Sequence, residues 1–253
     1  GLGGIGIPAM NVALQHSIKE TKKSGINVVG VINTGHTGRL GGYTEIASSQ
    51  NNLCIIIGGG GSKRCPLTVP FVGKQKRLST NPYSIGIPGG KNGPVVIDFA
   101  TSMVAGGWVY SAKRLGLKLQ KGSIIDRDGN PTDDPDDYFS GGAILPAGGA
   151  KGYSLSVVAE LIAEAMLGPV TLECNWLIIT VDTDIFQHNS KLEAIAEEVL
   201  SDIRSCPPAE GFERVEIPGE RERETSKLLS SKGVKVTLEL WSQILNLQKS
   251  LKI

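Results

Sequence analysis

The sequence contains three histidines, His16, His36 and His188. His36 lies in a loop rich in glycine and threonine, residues 33–42, which follows the apolar β-branched run 26–32. Catalytic groups concentrate in loops held by rigid strands, and imidazole exchanges protons near neutral pH, so His36 is the candidate general acid or base. The alternative is a loop histidine hydrogen-bonded to backbone. We assign surface or packing roles to the other two.

A carboxylate and two hydroxyls lie at the end of a predicted strand, as Asp98, Thr101 and Ser102 follow the apolar residues 94–97. Such groups can hydrogen-bond the ribose or amide of a nucleotide, and a helix N-cap by either hydroxyl explains the same residues. Lys151 stands among small residues before an apolar segment, where its ammonium could reach a phosphate or a ribose. A surface lysine at a helix entry is the alternative.

Four consecutive glycines, residues 58–61, precede Lys63 and Arg64. Backbone N–H groups of such a run can cradle a phosphate. The spacing matches neither the P-loop nor the Gly-x-Gly-x-x-Gly dinucleotide pattern, so we interpret the run as a flexible surface loop in preference to a phosphate site. The acidic stretch 126–137 lacks the spaced ligands and closing glutamate of a calcium loop, so we interpret it as a solvated turn.

The four cysteines are far apart and form no Cys-x-x-Cys pair: they are Cys54, Cys65, Cys174 and Cys206. Zinc sites usually draw on paired spacings, so no metal site is expected. We predict reduced, buried thiols in a cytoplasmic protein. The net charge of +1 favours neither a nucleic-acid nor a membrane partner, and no apolar run approaches the ~20 residues that span a bilayer.

Residues 1–253 are predicted to form one cofactor-binding domain with a C-terminal helical segment. Because the chain begins with glycine rather than methionine, we expect an upstream segment in the natural protein. The apolar patterns predict helices and strands in irregular alternation, which favours a mixed α/β fold over a parallel Rossmann sheet. Strands are predicted at 26–32, 53–57, 83–87, 94–102 and 176–182, and helices at 8–24, from 43, and at 103–118, 154–167, 192–201 and after 220. The strand 26–32 and the helix 154–167 are predicted to be buried, and residues 235–247 to alternate and then turn helical.

Seven segments occur in an order and spacing that are specific when taken together. They are NTGHTG (33–38), PLTVPF (66–71), NP (81–82), DFATS (98–102), GGA (141–143), GGAKGY (148–153) and PGE (218–220). In these segments the chain resembles the malate/L-lactate dehydrogenase family that is distinct from the Rossmann lactate and malate dehydrogenases. Members include ureidoglycolate dehydrogenase, sulfolactate dehydrogenase, diketogulonate reductase and piperideine-carboxylate reductase.

The resemblance implies a non-Rossmann nicotinamide-binding fold, with a largely antiparallel sheet flanked by helices, in a homodimer with sites near the subunit interface. It implies hydride transfer between NAD or NADP and a small 2-hydroxy or 2-keto carboxylic acid of the malate or lactate type. His36 would exchange a proton with the substrate oxygen. Residues at a strand end, at a glycine-rich turn and at a later turn would contact the cofactor: Asp98, Phe99, Ala100, Thr101, Ser102, Ala150, Lys151, Gly219 and Glu220.

Two features depart from the family. Where the family often carries a Gly-Lys pair after Ala-Thr-Ser, this chain has Gly107 and Trp108. The family also has an upstream segment with a serine, a His-Gly pair and an arginine that clamp the substrate carboxylate. Nothing before Gly1 supplies them, so the chain as given is expected to lack half of the substrate site.

Two other functions stay open. A reductase of cyclic imino acids would use the same site to deliver hydride to a C=N bond. A non-catalytic cofactor-binding or assembly protein would bind the nucleotide without turnover. The choice between NAD and NADP also stays open, because the candidate partners for a 2′-phosphate, Lys63, Arg64 and Lys74, cannot be placed from the sequence.

Overall fold

The structure is a computed structural model that describes residues 1–251. Its strands are β1 (Ile26–Thr34), β2 (Asn52–Gly59), β3 (Tyr83–Ile87), β4 (Val95–Phe99), β5 (Ile124–Ile125), β6 (Pro131–Thr132), β7 (Ala143–Ile144) and β8 (Cys174–Asp182). Its α-helices are α1 (Gly6–Ser24), α2 (Gly41–Ser48), α3 (Gly106–Leu115), α4 (Pro135–Phe139), α5 (Ala150–Glu160), α6 (Asn189–Ser205), α7 (Glu220–Lys232) and α8 (Leu238–Leu251). A π-helical turn, Leu161–Met166, continues α5, and a 3₁₀ turn, Thr183–Ile185, follows β8.

Five strands form one antiparallel sheet in the order β1-β8-β2-β3-β4. The last strand of the sequence, β8, lies between β1 and β2 and bonds to both. Antiparallel pairing throughout the sheet confirms the predicted mixed α/β fold and excludes a parallel Rossmann sheet.

The strand β1 lies at the edge of the sheet, so the prediction that it is buried was wrong. Ile26, Val28 and Ile32 lie on one face of the strand and are exposed. Val31, on the other face, and Thr34, at the end of the strand, are buried. β-Branched residues are typical of edge and central strands alike, and the sequence pattern therefore did not show that only one face of β1 is covered.

Helices cover both faces of the sheet. On one face α1 and α2 enclose the main core, in which Met10, Leu14 and Ile178 are fully buried. The helix α1 ends as predicted, because Gly25 adopts a left-handed conformation and its N–H bonds the Thr21 carbonyl at 2.7 Å. On the opposite face lies α5, which continues into the π-helical turn.

The helix 154–167 was predicted to be buried against a sheet, and the side of α5 and its π-helical turn that faces β2 is buried. Ala159 and Ala163 pack inward with no more than 1% of their surface exposed. Leu155, Val158 and Leu161 are exposed on the outer side. The low charge of this segment therefore reflects an apolar outer surface as well as a core-facing one.

The glycine run after the predicted strand 53–57 packs inside the protein. A Cβ on Gly58 would lie under 3.0 Å from the Trp176 ring, and one on Gly59 equally close to the Ala159 carbonyl. Gly60 has φ +85°, and a Cβ on it would collide with the Val170 side chain. The run is therefore buried, and the interpretation as a flexible surface loop was wrong.

A smaller antiparallel sheet, β6-β5-β7, carries a second core together with α3 and α4. The acidic stretch 126–137 is a turn at its start, where the Asp126 carboxylate accepts N–H bonds from Asp128 and Asn130. Its end forms α4, which begins at Pro135 with Asp134 as the N-cap. The sequence interpretation as a turn missed this short helix.

The C-terminal part is helical, and α6 is longer than predicted. Helices α7 and α8 have no buried residue, and residues 235–237 form no strand, so the predicted initial alternation does not correspond to one. Within residues 1–251, no helix is both long enough and apolar enough to cross a membrane.

Replacing Gly58 by alanine tests the packing of the glycine run. The new Cβ collides with the Trp176 ring, and we expect the free energy of unfolding in urea to fall by about 1–3 kcal/mol. Gly107→Ala is the control, because open space surrounds Gly107 at the start of α3. The control should be neutral or raise stability by up to ~1 kcal/mol. Equal effects of the two changes would contradict the packing interpretation.

Candidate functional site

A cleft of about 1050 Å³ lies where four chain segments meet. They are the loop after β1, the segment after β2, the end of β4 and the start of β8, with α3 and α7 each adding one side chain. Four residues predicted from the sequence line this cleft: His36, Asp98, Phe99 and Ala100. A concave space of this size is typical of a cofactor or small-molecule site.

His36 is bound through one ring nitrogen. Its Nδ1 lies 3.0 Å from the Glu173 Oε1, and 76% of the histidine side chain is exposed. A carboxylate only accepts hydrogen bonds, so Nδ1 carries the proton. Within residues 1–251, Nε2 has no hydrogen-bond partner and is available for proton exchange.

The loop that carries His36 is fixed at both ends. The Gly6 N–H donates to the His36 carbonyl at 3.1 Å, and the Tyr43 hydroxyl donates to the Thr37 carbonyl. Upstream, Asn33 has φ +55° and its Oδ1 accepts from the Thr171 hydroxyl at 2.8 Å. This last bond joins the loop to the segment that supplies the histidine's carboxylate partner.

Asp98 lies on the cleft wall with 24% of its side chain exposed. Its Oδ2 accepts the Gly41 N–H at 2.7 Å and lies 4.0 Å from the Arg39 Nε. Burial raises the pKa of Asp98, against the opposing effects of Gly41 and Arg39. A carboxylate can accept up to about four hydrogen bonds, so the group keeps capacity for a ligand hydroxyl.

Aromatic rings supply the apolar part of the cleft. Phe99 stacks on Tyr83 with the ring centroids 6.0 Å apart and the planes 13° from parallel. Trp108 is 68% exposed and also lines the cleft. Exposed ring faces in a cleft are well suited to the flat bases of a nucleotide.

The next two predicted residues have hydroxyls that already bond to backbone. The Thr101 hydroxyl donates to the Thr80 carbonyl at 2.9 Å, and the Ser102 hydroxyl to the Val104 carbonyl at 2.8 Å. Both residues are buried and neither lines the cleft. They hold the chain at the end of β4.

The two remaining pairs of predicted residues lie near β4 and outside the cleft lining. Ala150 and Lys151 are exposed at the start of α5, in a turn that bonds to the Thr101 carbonyl through Ala147. The turn that contains Gly219 lies against β4, where the Val96 N–H donates to the Pro218 carbonyl.

The Glu220 side chain is occupied by neighbours. It accepts from the Arg204 Nη2 at 2.7 Å and from the Ile217 N–H at 3.0 Å. Burial acts to raise the pKa of Glu220, but these hydrogen bonds outweigh it and lower the pKa. A side chain held in this way fixes the start of α7.

The sequence model of the malate/L-lactate dehydrogenase family matches residues 1–245. The chain belongs to this family. It is 32% identical to L-sulfolactate dehydrogenase of Methanocaldococcus jannaschii over 253 residues, covering 95% of this chain and 71% of that protein. The solved structure of sulfolactate dehydrogenase from that organism superimposes with a TM-score of 0.85, covering 99% of this chain and 74% of the other.

Two further relatives differ in their named activities. The L-lactate dehydrogenase of Cupriavidus necator is 31% identical, with 100% of this chain and 76% of that protein covered. A Pseudomonas putida reductase of pyrroline-2-carboxylate and piperideine-2-carboxylate is 34% identical over 166 residues, with 66% and 48% covered. Family membership confirms the resemblance, the fold class and the interpretation as a nicotinamide-dependent dehydrogenase.

Sequence reasoning missed several residues of the enzyme's cleft. Glu173 carried no local signal, because only the pairing of β8 with β1 brings it to His36. Arg39 stands within the His36 loop and was not singled out. Arg64 was noted with the glycine-rich segment and as a candidate for a 2′-phosphate, and Cys65 only as one of the four cysteines.

All four thiols of the enzyme are free, but only two are buried. Burial raises the pKa of Cys54 and of Cys174 to about 12. Cys65 and Cys206 are exposed, which corrects the prediction of four buried thiols. Within residues 1–251, no three His, Cys, Asp or Glu side chains are grouped to hold a metal ion.

Alkylation of Cys65 tests whether the cofactor occupies this cleft. We expect bound NADH or NADPH to slow alkylation of Cys65 by iodoacetamide several-fold, because the cofactor would exclude the reagent from the cleft. Cys206 is the internal control and should react at one rate with or without nucleotide. Peptide mass spectrometry measures both rates. Equal protection of the two thiols, or of neither, would place the nucleotide elsewhere.

Proposed function

We propose that the enzyme transfers a hydride between NAD or NADP and a small 2-hydroxy or 2-keto carboxylic acid of the malate or lactate type. The observation that carries the proposal is His36, which lines the large cleft, bonds Glu173 through Nδ1 and leaves Nε2 without a partner in residues 1–251. The relatives named for sulfolactate and lactate support this substrate class.

The cleft suits a nicotinamide dinucleotide in size and in chemistry. Its volume of about 1050 Å³ lies at the upper end of small-molecule pockets. Asp98 would accept ribose hydroxyls, and Phe99 and Ala100 would line the ring-binding surface. When bound, the cofactor supplies or receives the hydride. We further propose edge contacts from the residues around β4: Thr101, Ser102, Ala150, Lys151, Gly219 and Glu220.

His36 performs the proton step. In the reducing direction its protonated Nε2 donates to the substrate oxygen as the carbonyl becomes an alcohol. In the oxidising direction the neutral Nε2 takes the hydroxyl proton. Glu173 keeps a proton on Nδ1, so Nε2 is the ring nitrogen that exchanges a proton with the substrate.

A reductase of cyclic imino acids is the second candidate. The relative named for pyrroline-2-carboxylate and piperideine-2-carboxylate favours it, and such substrates also carry a carboxylate next to the reducible carbon. The two candidates differ in the group that receives hydride, C=O or C=N. A panel of pyruvate, oxaloacetate and piperideine-2-carboxylate with NADH and NADPH separates them.

Replacing His36 by glutamine tests the proton-transfer role. We expect kcat with the preferred substrate to fall by about 10²-fold or more, because an amide cannot donate or accept the proton. Binding of NADH, followed by nicotinamide fluorescence, should change little. His188→Gln is the control, since His188 is exposed at the start of α6 and its ring bonds the Ser190 hydroxyl, outside the cleft. An unchanged kcat in His36→Gln would assign the proton step to another group. Nucleotide binding without turnover of any substrate would favour a non-catalytic protein.

We propose that the enzyme is a homodimer. Both β1 and α5 have exposed apolar residues, and β1 lies beside the end of the π-helical turn, where a Cβ on Gly30 would meet Leu167. A cytoplasmic location is proposed from the four free thiols, which are typical of a reducing compartment.

Sedimentation of the wild type and of Val158→Lys tests the dimer. Val158 is exposed on α5. A lysine there places a charge in the proposed interface, so the variant should sediment as a monomer at concentrations where the wild type is a dimer. Glu198→Lys on α6 is the control, an exposed site on another helix. A monomeric wild type, or a dimer that Val158→Lys leaves intact, would contradict this interface.

A further inference from the structure

The glycine-rich segment continues into a turn that the proposed mechanism does not use. The Gly61 carbonyl accepts N–H bonds from Arg64 at 3.1 Å and from Cys65 at 2.8 Å. This turn places Lys63 and Arg64, adjacent in sequence, in different surroundings. Lys63 lies 3.5 Å from Glu164 and does not line the cleft, whereas Arg64 does.

The Arg64 guanidinium is anchored at one end. Its Nε donates to the Val170 carbonyl at 3.2 Å. Within residues 1–251, no carboxylate lies within ion-pair distance of Arg64. Arg39, Arg204 and Arg214, in contrast, each lie within 4 Å of at least one carboxylate. The two Nη groups are therefore available to an anion, and their parallel N–H bonds match the two oxygens of a carboxylate.

Arg64 and His36 flank the same short segment. A Cβ on Gly61 would lie 3.2 Å from the Glu173 carbonyl, so the Arg64 turn packs directly against Glu173. From the other side, the Glu173 carboxylate holds the His36 ring at 3.0 Å. A molecule in this cleft is therefore offered a proton-exchanging nitrogen and an unpaired guanidinium from neighbouring walls.

We propose that Arg64 binds a carboxylate of the substrate and orients the reacting carbon toward His36. This rests on the proposed function, in which the substrate is a carboxylic acid. A bidentate arginine fixes both the position and the rotation of a carboxylate, which hydride and proton transfer require. The carboxylate is either the one adjacent to the reacting carbon or, in a dicarboxylic acid, the distal one.

Steady-state kinetics of Arg64→Ala and Arg64→Lys test the assignment. In Arg64→Ala we expect KM for the keto acid to rise by about 10- to 100-fold, with a smaller fall in kcat and unchanged KM for NADH or NADPH. Arg64→Lys should fall between this variant and the wild type, because lysine keeps the charge and loses the bidentate geometry. Lys63→Ala is the matched control and should stay within about twofold of the wild type, since its exposed pair with Glu164 contributes little.

The pattern across substrates identifies which carboxylate is bound. A rise for both pyruvate and oxaloacetate assigns Arg64 to the carboxylate beside the reacting carbon, and a rise for oxaloacetate alone assigns it to the distal one. An unchanged keto-acid KM, or a raised cofactor KM instead, overturns the proposal.

Equilibrium binding of oxamate to the enzyme with saturating NADH separates this proposal from the proposed function. If the wild type turns over no keto acid, the proposed function fails, and weaker oxamate binding by Arg64→Ala than by Lys63→Ala still supports the carboxylate site. Equal oxamate affinity in these two variants, or no binding by the wild type, overturns it.

Discussion

The pairing of β8 between β1 and β2 is the constraint on which the site depends. Its register sets Thr34 opposite Cys174 at one edge and Gly59 opposite Asn175 at the other. The residue before this strand, Glu173, is thereby brought to His36, which is 137 positions away in the sequence. The same pairing brings the chain that leaves β2 to the opposite side of Glu173. One strand register therefore places the histidine that we propose as the acid/base group, its carboxylate partner and the cleft wall.

The glycine run is a consequence of that register. With β8 in place, the Trp176 ring lies over Gly58, and the backbone of α5 approaches Gly59 too closely for a side chain. The run allows β2 and the helix layer to approach each other, and its end at Gly61 turns the chain into the cleft. The four glycines, whose composition is compatible with phosphate binding, thus serve packing. The residue of this segment that could bind a ligand is Arg64, which follows them.

Local patterns predicted most of the elements because they depend on neighbours in sequence. The stop of α1 at Gly25 and the strand Tyr83–Ile87 are examples. Burial was predicted wrongly for β1 and the exposed outer side of α5 was not predicted, because burial depends on which element covers each face. In the site, the motif around His36 was informative, but Glu173 was not, since a partner brought by a distant strand leaves no local spacing. The Thr101 hydroxyl likewise bonds a carbonyl 21 positions away, that of Thr80, which the local sequence does not show.

The ion pairs differ among the arginines near the cleft and around α7. Arg204 is held by Glu197 and Glu220, and this pairing fixes the start of α7. The Arg39 guanidinium lies 3.7 Å from a Glu45 carboxylate oxygen and 4.0 Å from one of Asp98. These distances are too long for good hydrogen bonds, so Arg39 acts on the two carboxylates mainly through its charge. Within residues 1–251, the Arg64 side chain is bound only by the Val170 carbonyl. A carbonyl anchor satisfies one donor without neutralising the charge, so this cation keeps its attraction for an anionic ligand in the cleft.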